Sequence, residues 1–140
     1  MKHAGAMLAA LALLGAAPAP DNRAIVRDFA DLFYRQHAVR RAFETYVAPD
    51  YVQHNPGIAD GREAAITALT PLFATKEIFD VRHILVDGDM AAIHLLAREH
   101  PGDRGTAVVD IFRLRHGRIV EHWDVLQAVP AASANPHPMF

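Results

Sequence analysis

The stretch that decides the fold is Thr106–Gln127, "TAVVDIFRLRHGRIVEHWDVLQ". Apolar and β-branched residues alternate with polar ones on both sides of the His-Gly dipeptide at 116–117, which is typical of two antiparallel strands joined by a two-residue turn. Counting outward from that turn places Asp110 opposite Trp123, on a face that is otherwise mostly apolar. The sequence therefore predicts a hairpin whose apolar face carries one carboxylate in its middle.

Two further strands are predicted before this hairpin. Ile78–Val86 and Met90–Glu99 are rich in apolar and β-branched residues, and the turn-forming stretches "DGD" and "PGDRG" separate the successive strands. Together with Thr106–Arg115 and Arg118–Gln127 they predict an antiparallel meander of four strands.

The first half of the chain has helical periodicity instead. Helices are predicted to begin near Asp21, near Val39 and at Asp60, where Glu63 three residues later resembles a capping box. The stretch Tyr51–Gly57, "YVQHNPG", is predicted to form the turn between the second and third helices. Helices followed by strands predict an α+β fold, with three N-terminal helices packed on one face of a curved antiparallel sheet.

The two ends of the chain differ from its middle. Residues 1–20 contain Lys2, then an uncharged apolar run, then small residues and prolines, which is the layout of a secretory signal peptide. We therefore expect a periplasmic or secreted protein, with a domain over residues 21–128 and an Ala/Pro-rich tail over 129–140. The position of the cut is left open.

Composition excludes several classes of function. The 140 residues include 14 basic and 16 acidic ones without charged runs, so nothing in the charge predicts binding to nucleic acid. Cysteine is absent, which excludes disulfides, thiolate metal sites and cysteine nucleophiles. The length fits one domain with a core that can enclose a modest cavity.

Asp110 is the anomaly of the predicted sheet. A carboxylate on an apolar face is costly unless it is hydrogen-bonded or opens onto a cavity. Burial favours the protonated form of such a group, which makes it usable as a proton donor or acceptor near neutral pH. A structural aspartate that holds a helix end or a tyrosine hydroxyl is the alternative, and the sequence leaves both open.

His83 and His94 fall on one face of the first predicted hairpin, directly opposed or diagonal to each other. Two histidines are one ligand short of a catalytic zinc site, so we expect no metal. A pocket histidine acting as a hydrogen-bond partner or as an acid or base is one alternative, and a surface histidine is the other.

The opposite face of the last hairpin is also rather apolar. A second subunit is the simplest cover for such a face, so we expect a homodimer through the outer side of the sheet. The residues predicted to lie on it are Val109, Ile111, Val120, His122 and Asp124.

Three motifs carry a resemblance to a known family. The stretch "YVQHNP", the helix that follows "DGREA", and "VDIFRLRHGRIVEHWDVLQ" are similar to the SnoaL-like branch of the nuclear transport factor 2-like superfamily, over about residues 24–127. The resemblance implies a cone of three helices against a bent antiparallel sheet, with an apolar pocket between them and dimers through the outer sheet face.

The resemblance also implies roles for residues. In SnoaL-like polyketide cyclases an aspartate of the strand matching "VDIFR" is the acid/base of an aldol closure, which points to Asp110, and a histidine of the preceding strand assists, for which His94 is the nearest match. His54 or Asn55 would face the pocket mouth. The residues expected to contact a ligand are Asn55, Trp123, Phe112 and His83, with Asp110, His94 and His54 expected to be catalytic.

The predicted function follows from this pocket. We expect an enzyme that uses Asp and His as acid and base on a small apolar carbonyl compound, in an aldol condensation or cyclisation, an isomerisation or a dehydration. No cofactor is expected, because hydrogen bonds alone can stabilise an enolate. The alternative is an exported, non-catalytic module of the same fold that binds a small hydrophobic ligand.

Overall fold

A computed structural model describes residues 21–75 and 78–140, so the predicted signal peptide lies outside the described residues. Three helices and five strands are present in this part of the chain, and the strands form one sheet in the order β1-β5-β4-β3-β2. The elements are α1 (Asn22–Ala30), a π-helical turn (Asp31–Arg35), α2 (Val39–Tyr46), β1 (Val47–Gln53), α3 (Arg62–Ala74), β2 (Ile78–Asp87), β3 (Met90–Arg98), β4 (Thr106–Arg115) and β5 (Arg118–Ala128).

The α+β class is confirmed. The four predicted strands are present with ends that differ by at most one residue, and β2 to β5 pair as an antiparallel meander. None of the described helices has the length and apolar character that crossing a membrane requires.

The prediction that Tyr51–Gly57 forms a turn is wrong for its first three residues, which belong to a strand. Residues Val47–Gln53 form a fifth strand, β1, which lies between α2 and α3 in the chain and pairs in parallel with β5. Pro49 is compatible with this strand because β1 is at the edge of the sheet, where a missing N–H donor breaks no ladder. The helices are therefore not all N-terminal to the sheet.

The start of α3 also differs from the prediction. Its N-cap is Gly61, with a φ of 97°, and no side chain caps the helix. The Asp60 carboxylate accepts a hydrogen bond from the backbone N–H of Gln53 at 2.8 Å instead of from its own helix. Asp60 therefore holds the loop after β1 closed.

The π-helical turn positions one residue of the site. The backbone N–H of Gln36 donates to the carbonyl oxygen of Asp31 at 3.0 Å, an i to i+5 bond that widens the helix locally. As a result three consecutive side chains, Leu32, Phe33 and Tyr34, are all buried. Tyr34 thereby reaches the inner face of the sheet.

A β-bulge in the last hairpin shifts its register. Leu114 pairs with Ile119, but Arg113 pairs with Glu121, so Val120 is an extra residue on β5. Beyond the bulge every residue of β5 lies one position away from the predicted register, and Asp110 pairs with Asp124. Since neighbouring side chains alternate between faces, a slip of one residue exchanges the two faces of β5.

An aromatic cluster joins the helices to the inner face of the sheet. Phe29 of α1 stacks on Phe33 at 5.3 Å between ring centroids and meets Phe112 of β4 edge-on at 5.4 Å. Phe33 in turn stacks on Phe73 of α3 at 4.3 Å. Burying each such ring stabilises the fold by about 1.5–3 kcal/mol, so this cluster is a main contribution to the core.

Candidate active site

A cavity of about 550 Å³ lies between the three helices and the inner face of the sheet. Its walls are mostly aromatic and aliphatic. One group of polar lining residues lies around the loop before β4: Arg98, Glu99, Asp103, Arg104 and Thr106. A second group converges where β1, β4 and β5 meet. The polar lining residues at this place are Tyr34, Tyr51, Gln53, Asn55, Asp110, His122 and Asp124. An apolar cavity with a few convergent polar groups is the usual form of a small-molecule site.

Asp110 is at the centre of these polar groups. Its side chain is buried, and both carboxylate oxygens are hydrogen-bonded: the Tyr34 hydroxyl donates to Oδ2, and Nε2 of His122 lies 3.1 Å from Oδ1. His122 is 8% exposed and Asp110 9%, so water screens this pair only weakly.

The hydrogen bonds of Gln53 fix the tautomer of His122. Oε1 of Gln53 accepts the backbone N–H of Asn55 at 3.0 Å and lies 2.8 Å from Nδ1 of His122. An amide oxygen only accepts hydrogen bonds, so Nδ1 of His122 must carry a proton.

One proton therefore lies between His122 and Asp110. A bare Nε2 and an ionised Oδ1 at 3.1 Å would repel each other, because both would present lone pairs. In one arrangement the Asp110 carboxyl group holds the proton and the His122 imidazole is neutral. In the other, His122 is an imidazolium and Asp110 is a carboxylate. Both arrangements have the same net charge, so the pair can move a proton without a change in the charge of the site.

The segment after β1 holds the second carboxylate of the site. Nδ2 of Asn55 donates to Oδ2 of Asp124, and Oδ1 of Asn55 accepts the backbone N–H of Gly57 at 2.8 Å. Among the described residues, no hydrogen bond engages Oδ1 of Asp124. Asp124 thus presents a positioned oxygen next to the Asp110–His122 pair.

Two tyrosines remain neutral in this environment. Burial, and then the neighbouring Asp110 carboxyl, raise the pKa of Tyr34 well above its ordinary value. The pKa of Tyr51 is raised by the same two causes in the same order. Both hydroxyls are therefore protonated near neutral pH and able to donate a hydrogen bond.

Asp110, His122 and Asp124 could also hold a divalent metal ion. Each offers one ligand atom, and the three atoms lie within 4.8 Å of one another. Two carboxylates and one imidazole are a chemically suitable donor set for such an ion. Binding would have to displace the proton shared by Asp110 and His122, so a metal and the shared proton exclude each other.

Three of the predicted site residues line the cavity: Asp110, Asn55 and Phe112. Asn55 reaches it through its contact with Asp124, and Phe112 forms part of its apolar wall beside His122, with ring centroids 5.0 Å apart. These three residues thus lie where a ligand in the cavity could reach them, and their roles stay predictions.

His54 and Trp123 are not in the cavity, contrary to prediction. Because the bulge shifts β5 by one residue, Trp123 points to the outer face, and His54 stacks on it at 4.6 Å between ring centroids. His54 also bonds Glu121 at 2.9 Å, and this bond, followed by that of Arg113, lowers the pKa of the Glu121 carboxyl. Within "QHNP", the residues on either side of His54 face the site instead.

His83 and His94 do lie on one face, as predicted, and their rings stack at 5.8 Å. That face is the outer one, because His94 pairs with Val109 while the neighbouring Ile93 pairs with Asp110. Neither histidine lines the cavity. The assisting histidine expected at His94 therefore has no contact with Asp110, and His122 occupies that place.

Five residues of the site were missed from the sequence: Tyr34, Tyr51, Gln53, His122 and Asp124. His122 and Asp124 were assigned to the outer face because the bulge at Val120 leaves no mark in the alternating pattern. Gln53 had a usable signal, since it lies two residues before Asn55 and in a strand would share its face.

Comparison with known proteins identifies the class. A family profile described as SnoaL-like domain matches residues 26–122, so the chain belongs to the SnoaL-like family. No curated protein matches the sequence.

Solved structures share the fold. TsrD from Streptomyces laurentii is 22% identical, with a TM-score of 0.60 over 75% of this chain and 90% of its own. An NTF2-like protein of unknown function from Mesorhizobium loti is 25% identical, with a TM-score of 0.64 over 77% and 96%. A candidate polyketide cyclase from Acidithiobacillus ferrooxidans is 19% identical, with a TM-score of 0.58 over 74% and 85%. The predicted nuclear transport factor 2-like cone is confirmed.

Proposed function

We propose that the protein is a cofactor-independent acid–base enzyme of the cyclase type, acting on a small apolar carbonyl compound. The observation that carries the proposal is the buried Asp110–His122 pair, with Nε2 and Oδ1 3.1 Å apart at the polar end of an apolar cavity. The reaction would be an aldol cyclisation, an isomerisation or a dehydration, which all begin with loss of a proton next to a carbonyl.

The geometry supports Asp110 as the group that takes this proton. When the imidazolium of His122 donates to Oδ1, the carboxylate is ionised but still has free lone pairs toward the cavity. Transfer of the ligand's proton to Asp110 forms a neutral acid and an enolate, and the imidazolium remains beside the new negative charge. Because the charges are already in place and water is largely excluded, this costs little reorganisation.

The side chains around the Asp110–His122 pair support a ligand whose reacting end is neutral. The polar end where β1, β4 and β5 meet contains two carboxylates, Asp110 and Asp124, and His122 as the only basic side chain among the described residues there. Arg98 and Arg104 also line the cavity, but beside the loop before β4. A free carboxylate on the ligand would meet like charges at this end. A neutral ketone or aldehyde group would not.

The proposal is tested by comparing wild type with Asp110→Asn on a panel of apolar ketones, aldol precursors and β-hydroxy ketones. The variant should lose on the order of 10²–10⁴-fold in rate with little change in ligand affinity, because only proton transfer is removed. His54→Gln and His94→Gln are matched controls on the outer face and should keep full activity.

Three kinds of outcome would contradict the proposal. If wild type binds these compounds but accelerates none of them, the alternative of a ligand-binding module is the better account. If Asp110→Asn keeps full turnover, or His94→Gln loses it, the assignment of the acid–base pair is wrong. Activity that requires an added divalent ion would indicate a metal bound by Asp110, His122 and Asp124 in place of the shared proton.

A further inference from the structure

Tyr51 carries a hydroxyl group that the proposed proton transfer does not use. The residue is only 2% exposed, lies in β1 and lines the polar end of the cavity. Its ring packs parallel to that of His122, with centroids 6.4 Å apart and an angle of 22°. The hydroxyl therefore lies at the same end of the cavity as the Asp110–His122 pair, and Gln53 contacts both Tyr51 and His122.

The orientation of this hydroxyl follows from Gln53. Since Oε1 of Gln53 accepts from Asn55 and His122, its Nε2 amide group faces the other way and donates to the Tyr51 oxygen at 3.4 Å. The Tyr51 oxygen thus accepts from Gln53, and its hydrogen must point away from that amide.

Within the part of the chain that the structure describes, no protein atom accepts the Tyr51 hydrogen. A buried donor that lacks an acceptor costs free energy. An acceptor inside the cavity would therefore stabilise the Tyr51 hydroxyl. The Tyr34 hydroxyl is different, because it already donates to Asp110.

We propose that Tyr51 is the catalytic residue that donates a hydrogen bond to the carbonyl oxygen of the bound ligand. This inference rests on the proposed function and defines its substrate class further: the ligand presents a neutral carbonyl oxygen to Tyr51 and an adjacent C–H bond to Asp110. As the C–H proton moves to Asp110, the bonding electrons form the C=C bond of the enolate and the negative charge collects on that oxygen, where the Tyr51 hydrogen bond is strongest.

The test is the infrared carbonyl stretch of isotopically labelled aromatic ketones, such as 1-tetralone, bound to wild type, Tyr51→Phe and Tyr46→Phe. Wild type should lower the stretching frequency relative to an apolar solvent, because a hydrogen bond polarises the C=O group. Tyr51→Phe should abolish this shift and weaken binding by roughly 2- to 10-fold. Tyr46→Phe is the control, because Tyr46 does not line the cavity, and it should keep the shift.

Kinetics separate this inference from the proposed function. Where wild type turns over a ketone, Tyr51→Phe should lose about 10²- to 10³-fold in kcat. If no substrate is turned over but the shift depends on Tyr51, the donor assignment stands and the enzyme proposal fails. If Tyr51→Phe does not fold, 3-fluorotyrosine in place of Tyr51 should enlarge the shift, since it is a stronger donor. A wild type that binds none of the ketones or shows no shift, or a shift that persists in Tyr51→Phe, overturns the inference.

Discussion

At the scale of residues, Gln53 connects the groups of the site. Its amide oxygen accepts hydrogen bonds from Nδ1 of His122 and from the backbone N–H of Asn55, and its amide nitrogen donates to the Tyr51 oxygen. Gln53 is thus a positioning residue. It holds the proton of His122 on Nδ1, so that Nε2 faces Asp110, and it sets the direction in which the Tyr51 hydroxyl points.

Replacement of Gln53 should therefore change the state of His122. Gln53→Leu removes the acceptor for Nδ1, so we expect loss of the fixed tautomer and a fall in activity of about 10-fold or more, whereas Gln53→Glu keeps an acceptor and should preserve the Nδ1 proton. Nitrogen-15 NMR of labelled histidine measures this directly. Gln127→Leu, at an exposed end of β5, is the control; an unchanged His122 spectrum in Gln53→Leu would refute the assignment.

The individual residues also show how far the sequence could predict the site. Asp110 was found because a carboxylate interrupts an apolar alternation, and Asn55 because polar residues cluster beside Pro56. The partners of Asp110 were not found, because their side depends on a single inserted residue, Val120. Histidine is compatible with either face, so composition could not choose between His94 and His122.

At the scale of elements, the loop before β4 closes one side of the cavity through Gly105. This glycine has a φ of 76°, and a Cβ atom on it would lie 2.3 Å from the carbonyl oxygen of Ala97. Both features require glycine, since L residues are strained at this φ and the neighbouring backbone cannot move far.

Gly105→Ala should destabilise the protein by roughly 2–5 kcal/mol, from about 1–2 for the left-handed backbone and 1–3 for the overlap with Ala97. Gly102→Ala is the matched control in the same loop, with a φ of 92° and no atom within 4 Å of the added Cβ. It should cost only the backbone part. Urea unfolding of wild type and both variants measures the free energies of unfolding. Equal midpoints for Gly105→Ala and Gly102→Ala would contradict the predicted overlap with Ala97.

The positions of β2 to β5 were predictable, whereas the existence of β1 and the two faces of β5 were not. Alternation and the Gly-containing turns located β2 to β5 because each strand is bounded by residues that break the pattern. β1 was hidden by Pro49, which is typical of a helix end but is also allowed in an edge strand. The parallel pairing of β1 with β5 brings Tyr51 and Gln53 to the site, and no local pattern predicts such a long-range contact.

At the scale of the whole molecule, the outer face of the sheet is still rather apolar. Val125 is 62% exposed and Leu85 65% exposed, and Val109 pairs with Val125 on this face. We propose that a second copy of the chain covers it, as expected from the sequence. The predicted export of the protein remains a prediction.

The dimer is tested by light scattering. Wild type should have twice the mass of the chain at micromolar concentration, and Val125→Lys should have the mass of a monomer, because a buried unpaired ammonium group opposes association. Leu72→Lys is the control: Leu72 is also exposed but lies on α3, on the helical side. A monomeric wild type, or a dimer that both variants retain equally, would speak against this interface.

The central claim is that Asp110, paired with His122, takes a proton from the carbon next to a ligand's carbonyl group. The most direct measurement is the exchange of those protons for deuterium in D₂O, followed by NMR with 1-tetralone, because exchange needs only the first step common to all the proposed reactions. Wild type should accelerate exchange, Asp110→Asn should be slower by on the order of 10²–10⁴-fold, and His94→Gln should equal wild type. Exchange no faster than in buffer, or equally fast in wild type and Asp110→Asn, would contradict the account.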